Sequence, residues 1–196
     1  MIYRLKITLK GIKPPIWRRV EVSAEDSLYL LHNIIQGAMG WTNSHLHQFE
    51  HAGLTYGIPL DGMDEYYAAD GRDIKLSDLM RKVKDKLEYL YDFGDSWGHE
   101  LLLEAVLEPE PKAQYPRLLD GARACPPEDC GGVWGYAGML EAINNPEHPE
   151  HEEYEGWLEE GFDSEDFDLK ARAEDMAAMY RIGIKNKGRE FEDPDY

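Results

Sequence analysis

Ten residues, Tyr91 to Glu100 (YDFGDSWGHE), hold two aspartates, a histidine, two glycines and three aromatic residues. If Gly94-Asp95-Ser96-Trp97 forms a four-residue turn, Asp92 and His99 face each other on paired strands, with β-carbons about 4.5–5.5 Å apart. A carboxylate bonded to one imidazole nitrogen fixes the tautomer and frees the other nitrogen as a base or metal ligand. The same pair could equally do no more than satisfy two polar groups beside a turn. Asp95, placed after a glycine in the turn, is expected to bond its own backbone. Asp92-Phe93-Gly94 also matches the magnesium tripeptide of protein kinases, but no glycine-rich loop or HRD segment accompanies it, so the match is coincidental.

Two further stretches carry metal-ligand types. In HLHQFEH, a strand would put His45, His47 and His51 on one face with Phe49. Alternate histidines can bind one ion, and His45 and His47 with Asp92 or His99 would make a zinc-like site. Phe49, however, marks that face as the core side. In CPPEDCGG, the presence of only two cysteines excludes an all-cysteine tetrahedral site, so Cys125 and Cys130 would need histidines such as His148 and His151. Cys130 is also a candidate thiol nucleophile: it precedes Gly131, Gly132 and a helix start, where amide dipoles lower a thiol pKa. Glu128 and Asp129 act in the opposite direction. The candidate catalytic residues are thus Asp92, His99 and Cys130, and a divalent metal such as zinc is the candidate cofactor. A ligand gripped by backbone amides and aromatic side chains would draw on His45, Asp95, Trp97, Gly131, Gly132, Trp134 and Tyr136.

These residues need elements to position them. Tyr3, Leu5, Ile7 and Leu9 alternate with charged or polar residues, and residues 16–22 read as a second strand after a Gly-Pro turn. Ser23 to Asp26 has capping-box spacing before a helix that runs to about Gly40 with one apolar stripe. A strand over 45–51, a loop over 54–73, a short helix over 74–83 and strands over 88–93 and 99–107 follow. The pattern is α+β: an antiparallel or mixed sheet with one main helix packed on it, β-grasp-like in element order. Residues 109–127 contain five prolines and read as irregular. Helices over 133–144 and 169–181 flank a strongly acidic segment, 147–168, whose aromatic residues argue that it docks on the sheet. The expected organisation is one domain over 1–181, with sheet and helix in 1–107, a loop and acidic helical extension in 108–181, and a disordered tail over 182–196.

Charge narrows the partners. The net charge is −18, and residues 1–100 carry 12 Lys/Arg against 15 Asp/Glu while the remainder carry 9 against 24. No lysine or arginine lies between Arg123 and Lys170. Such a surface repels phosphate backbones and anionic lipid, so nucleic acid and membrane are poor partners, and a basic protein or a cation suits the acidic half. No apolar run is long enough to span a bilayer, and MIYRLKITLK reads as a strand, not a signal peptide, so a cytoplasmic location is expected.

Together PPIWRRVEV, Gly40-Trp41, HLHQFE, YDFGDSWGHELLLE, CPPEDCGGVWGY and GFDSEDFDL resemble the plasmid pRiA4b ORF-3 family, in order from about Tyr3 to Arg181. The resemblance implies a single α+β domain and says little about activity. Some members carry mobile-element or resolvase-like labels, yet no recombinase nucleophile motif or basic DNA-binding helix is present here. His51 replaces an aliphatic residue, which weakens a three-histidine site, and Ser164 stands where FDPEDFD would have proline. Three functions follow: a non-catalytic ligand- or protein-binding module, a metal-dependent or thiol hydrolase, and a plasmid or insertion-element accessory acting through its acidic face. The binding module is the leading expectation, with a groove between the HLHQFE strand, the hairpin and the CPPEDCGG loop.

Overall fold

A computed structural model describes residues 1–59, 67–158 and 161–187. In chain order the elements are β1 (Ile2–Leu9), β2 (Trp17–Ser23), α1 (Leu28–Met39), β3 (His47–His51), β4 (Leu54–Gly57), β5 (Ala69–Asp70), α2 (Leu76–Leu79), β6 (Lys86–Tyr91), β7 (Trp97–Leu107), β8 (Arg117–Ala122), α3 (Gly132–Ile143), α4 (His151–Trp157) and α5 (Leu169–Asn186). The strands form one mixed sheet in the order β5-β4-β3-β6-β7-β1-β2-β8. All ladders are antiparallel except β4–β5. A β-grasp-like sheet would centre on a parallel pair; here β1 runs antiparallel to both of its neighbours, β7 and β2.

Period-two patterning gives the sheet one apolar and one charged face. Leu5, Ile7, Leu9, Val20, Leu87, Leu101 and Leu103 point into the core. On the other face cross-strand pairs such as Arg19–Glu104, Arg4–Glu21 and Lys86–Glu100 form a lattice of ions. Helix α1 lies on the apolar face and is buried at all twelve positions, not along one stripe. The reason is α5, which packs across its outer side and makes sheet, α1 and α5 three layers. Tyr180 on α5 donates to Asp26 beside the α1 start. The cap of α1 is Ser27, whose Oγ accepts from the Leu30 amide, four residues later than the expected Ser23.

Several segments expected to be irregular are ordered. Residues 117–122 form β8 against β2 despite the prolines around them, because the ladder starts after Pro116 and no proline falls within it. The 54–73 loop contains β4 and β5. Helix α2 has four residues, not ten, and α5 continues past Arg181 to Asn186, so the expected tail starts too early. Residues 188–196 lie outside the described residues, as do 60–66 and 159–160. In the acidic segment Tyr154, Leu158, Phe162 and Phe167 pack on the core as expected, while Trp157 remains 47% exposed.

Candidate functional site

The register of the β6–β7 hairpin separates Asp92 from His99. Tyr91 faces Trp97 and Tyr89 faces His99, so the turn spans five residues, Asp92 to Ser96. Asp92 adopts a left-handed φ of 55°, its Oδ1 accepts from the amides of Gly94 (2.8 Å) and Asp95 (3.3 Å), and its carbonyl accepts from Ser96. The chain therefore turns at Asp92, and burial of Tyr89, Tyr91, Trp97 and His99 on one face locks that register. His99 is sealed between Trp41 and Tyr89, with ring centroids 5.4 and 5.3 Å away. Burial pushes its pKa down to about 3, and neither ring nitrogen has a hydrogen-bond partner among the described residues. The expected Asp92–His99 dyad does not form, and Trp97, wholly buried, offers no ligand surface.

A different histidine is held by a polar network. Gln36 Nε2 donates to the Tyr89 hydroxyl (3.0 Å), which donates to His32 Nδ1 (2.8 Å). His32 Nε2 donates to Asn43 Oδ1 (2.6 Å), and the Asn43 amide returns to Gln36 Oε1 (3.1 Å). The directions close into a ring only if His32 is neutral with its proton on Nε2. Burial agrees, lowering its pKa to about 4. His47 stacks on His32 at 3.5 Å and is likewise held neutral, by burial and by that neighbour. His47 is therefore a packing residue beside β6, and His51 donates from Nδ1 to the Lys86 carbonyl (3.2 Å).

The CPPEDCGG segment is tied down from three sides. The Trp41 indole donates to the Pro126 carbonyl (2.9 Å). Glu128 accepts from the Thr42 amide and hydroxyl (3.0 and 2.6 Å) and from the Tyr91 hydroxyl. The Gly131 amide donates to Asp95 Oδ2 (3.1 Å), so Asp95 bonds this loop and not its own turn. At Gly132, φ is 69° and a β-carbon would lie 2.4 Å from the Asp95 carbonyl oxygen, so only glycine allows the approach. The Gly131 amide, expected to grip a ligand, is thus committed to the hairpin, and Gly132 packs against it. Tyr136 is buried and Trp134, 88% exposed, points away into solvent.

Neither cysteine is an activated thiol. Burial, with the charges of Asp95 and Asp129 adding to it, raises Cys130 to about 12. Burial likewise raises Cys125 to about 12, the nearby Arg18 charge only partly offsetting it. Desolvation outweighs the helix-end dipoles expected to lower Cys130. Both cysteines are free.

His45 is the residue of HLHQFEH that reaches other metal-ligand types. Its Nε2 lies 3.3 Å from Asp129 Oδ1 and 3.8 Å from Asp92 Oδ2. Ligand atoms from the three residues all lie within 4.8 Å of one another. Of the expected metal-ligand types, His45 and Asp92 come together and His47, His99, Cys125 and Cys130 are not in that group; Asp129 joins it, beside Cys130 in sequence but with a left-handed φ of 61°.

Against the same segment lies a cavity of 420 Å³, lined among the described residues by Arg18, Trp41, Cys125, Phe162, Phe167 and Arg172, and by the acids Glu128, Asp163, Asp166 and Asp168. The HLHQFE strand and the hairpin do not line it. Instead they border a shallower depression of 210 Å³ on the charged sheet face, with Lys10, Gln48, Glu88 and Gly98. Arg18 is 1% exposed and forms no ion pair among the described residues. Its Nε donates to the Ala38 carbonyl (2.8 Å) and its Nη1 to those of Trp17 (2.9 Å) and Ala122 (3.0 Å). The Phe167 ring covers the guanidinium at 4.4 Å. Burial, and the charge of Arg172, push its pKa down to about 10. The sequence carries a signal for it: in IWRRVEV the inward series is Ile16, Arg18, Val20 and Val22, which places one arginine on the core face.

Among the described residues no helix is long and apolar enough to cross a membrane. The chain matches the model of the plasmid pRiA4b ORF-3-like protein family over residues 1–171. It is 37% identical to the uncharacterised protein y4hQ of Sinorhizobium fredii, covering 95% of this chain and 97% of that one. It also resembles the crystal structure of the protein of unknown function MM3350 from Methanosarcina mazei Go1, with a TM-score of 0.79 and 39% identity over 86% of this chain and 96% of that one. By sequence and by fold, the chain belongs to the plasmid pRiA4b ORF-3-like family.

Proposed function

We propose that this protein is a non-catalytic binding module whose ligand is a small carboxylate with an apolar body, held in the 420 Å³ cavity beneath the CPPEDC segment. Arg18 carries the reading. A buried guanidinium is ordinarily paired with an acid, because removing its charge from water costs several kcal/mol, on the order of the stability of a small domain. The other deeply placed arginine of this region, Arg123, follows that rule through Glu165. Arg18 does not among the described residues: three of its five N–H groups meet carbonyl oxygens, and no described residue accepts from the two on Nη2, which are the ones this reading gives to a ligand.

The walls set the rest of the ligand. Trp41, Phe162 and Phe167 offer apolar surface, and the volume lies within the usual range for small-molecule sites. Glu128, Asp163, Asp166 and Asp168 in the lining disfavour a polyanion. A single carboxylate directed at Arg18, with an aromatic or aliphatic remainder, satisfies both. The thiol-hydrolase reading is weaker, because the two thiols are raised to about 12 and His99 is sealed in the core. Calorimetric titration with benzoate and with its uncharged analogue benzyl alcohol tests the proposal. Saturable binding of benzoate alone supports it; equal responses, or none from either, remove its basis.

A further inference from the structure

A second cluster lies at the CPPEDC segment, formed by residues none of which lines the Arg18 cavity. The geometry points to a binding site for one divalent transition-metal ion formed by His45 Nε2, Asp92 Oδ2 and Asp129 Oδ1. The three residues come from different parts of the chain: the connection from α1 to β3, the β6–β7 turn and the CPPEDC segment. The His45 Nε2 atom is buried and has no hydrogen-bond partner among the described residues. The side chain of Asp92 is 10% exposed, and its Oδ1 is fixed by two turn amides, which leaves Oδ2 towards His45. The two carboxylates, Asp92 and Asp129, are paired with no lysine or arginine among the described residues. The local charge balance therefore favours a cation.

The spacing fits a metal ion. Ligand atoms held at about 2.0–2.2 Å from a tetrahedral ion stand about 3.3–3.6 Å apart. Two of the observed separations are 3.3 and 3.8 Å, and the exposed Asp129 carboxylate can rotate to close the third. One imidazole and two carboxylates suit zinc or manganese better than calcium, which takes six to eight oxygens. Asp129 is 72% exposed, so remaining coordination positions open to solvent and would be filled by water.

The alternative is a protonated His45 that simply pairs with the two carboxylates, and a metal titration separates the two. Untagged protein stripped with chelator is titrated with zinc chloride by calorimetry and with manganese chloride by electron paramagnetic resonance. The site predicts one equivalent bound, with affinity reduced about tenfold or more in Asp129→Asn and in His45→Gln. Asp129→Asn changes an exposed group, so its circular dichroism spectrum should match that of the unchanged chain even if His45→Gln folds poorly. The inference is overturned if neither ion binds, or if Asp129→Asn binds zinc with unchanged affinity. Benzoate binding by the same sample should not depend on either substitution, so this test and that of the cavity fail separately.

Discussion

The guanidinium of Arg18 lies 4.4 Å from the centre of the Phe167 ring, and this contact fastens the segment after α4 onto the second strand of the sheet. The ring also occupies the space beside Gly121 on β8, where a β-carbon would come within 2.4 Å of it. One aromatic side chain thus covers a buried charge, fills the gap left by a glycine and forms one wall of the cavity.

Gly121→Ala should therefore destabilise the protein by about 1–3 kcal/mol, the usual cost of forcing an extra methyl into a packed site. In a Phe167→Ala background the same change should cost much less, because the obstructing ring is gone. Urea denaturation of the four members of this cycle measures the coupling. Additive effects would show that Phe167 does not occupy that space.

The neutral ring of Gln36, Tyr89, His32 and Asn43 makes two further outcomes specific. Tyr89→Phe removes the hydroxyl that both accepts and donates, leaving His32 Nδ1 and the Gln36 amide without partners, and should cost about 1–3 kcal/mol. Stability should also depend on pH. The folded pKa of His32 is about 4 and that of His99 about 3, both below the ordinary 6.5 because burial disfavours the charged form. Above pH 6.5 folded and unfolded chains bind the same number of protons at these sites. As pH falls from 6.5 towards 4 the unfolded chain takes up protons first, so the stabilising contribution is lost through that window, on the order of 3 kcal/mol for His32 alone. A urea midpoint that stays level from pH 7 to pH 4 would contradict this account.

Much of the sheet is legible in the sequence because its inward face is apolar at every second position, as in Tyr3, Leu5, Ile7 and Leu9. Strand β8 is not legible, since RLLDGA sits among prolines and its pairing with β2 is a long-range choice. The hairpin is misread for a local reason: Asp92, not Gly94, begins the turn, by capping the following amides with its own carboxylate. That shift takes Asp92 out of the strand and leaves His99 opposite Tyr89. His45 and Asp92 are identifiable by residue type, whereas Asp129 joins them only through a left-handed backbone that spacing does not reveal. His32 escapes notice because its two hydrogen-bond partners, Tyr89 and Asn43, lie outside its helix, 57 and 11 residues away. Arg18 is hidden in a doublet whose second member, Arg19, faces the charged lattice.

The cysteines give a direct chemical prediction. With both thiols raised to about 12, almost no thiolate exists at pH 8, so Cys125 and Cys130 should react with a disulfide reagent such as DTNB at least about a hundredfold more slowly in the folded protein than in urea. Rapid reaction of one thiol in the folded state would restore a thiol-based activity as the better reading.

The central claim is that the cavity beside Arg18 takes a small carboxylate, and the five tryptophans report on it individually. Trp41 and Trp157 line the cavity, while Trp17, Trp97 and Trp134 do not. In a nitrogen-15 spectrum of the indole N–H groups, benzoate should move the Trp41 and Trp157 signals saturably and leave the other three in place, with no such response to benzyl alcohol. If Trp41 stays unmoved by benzoate up to about 10 mM, where binding would be worth under about 3 kcal/mol, the account is contradicted.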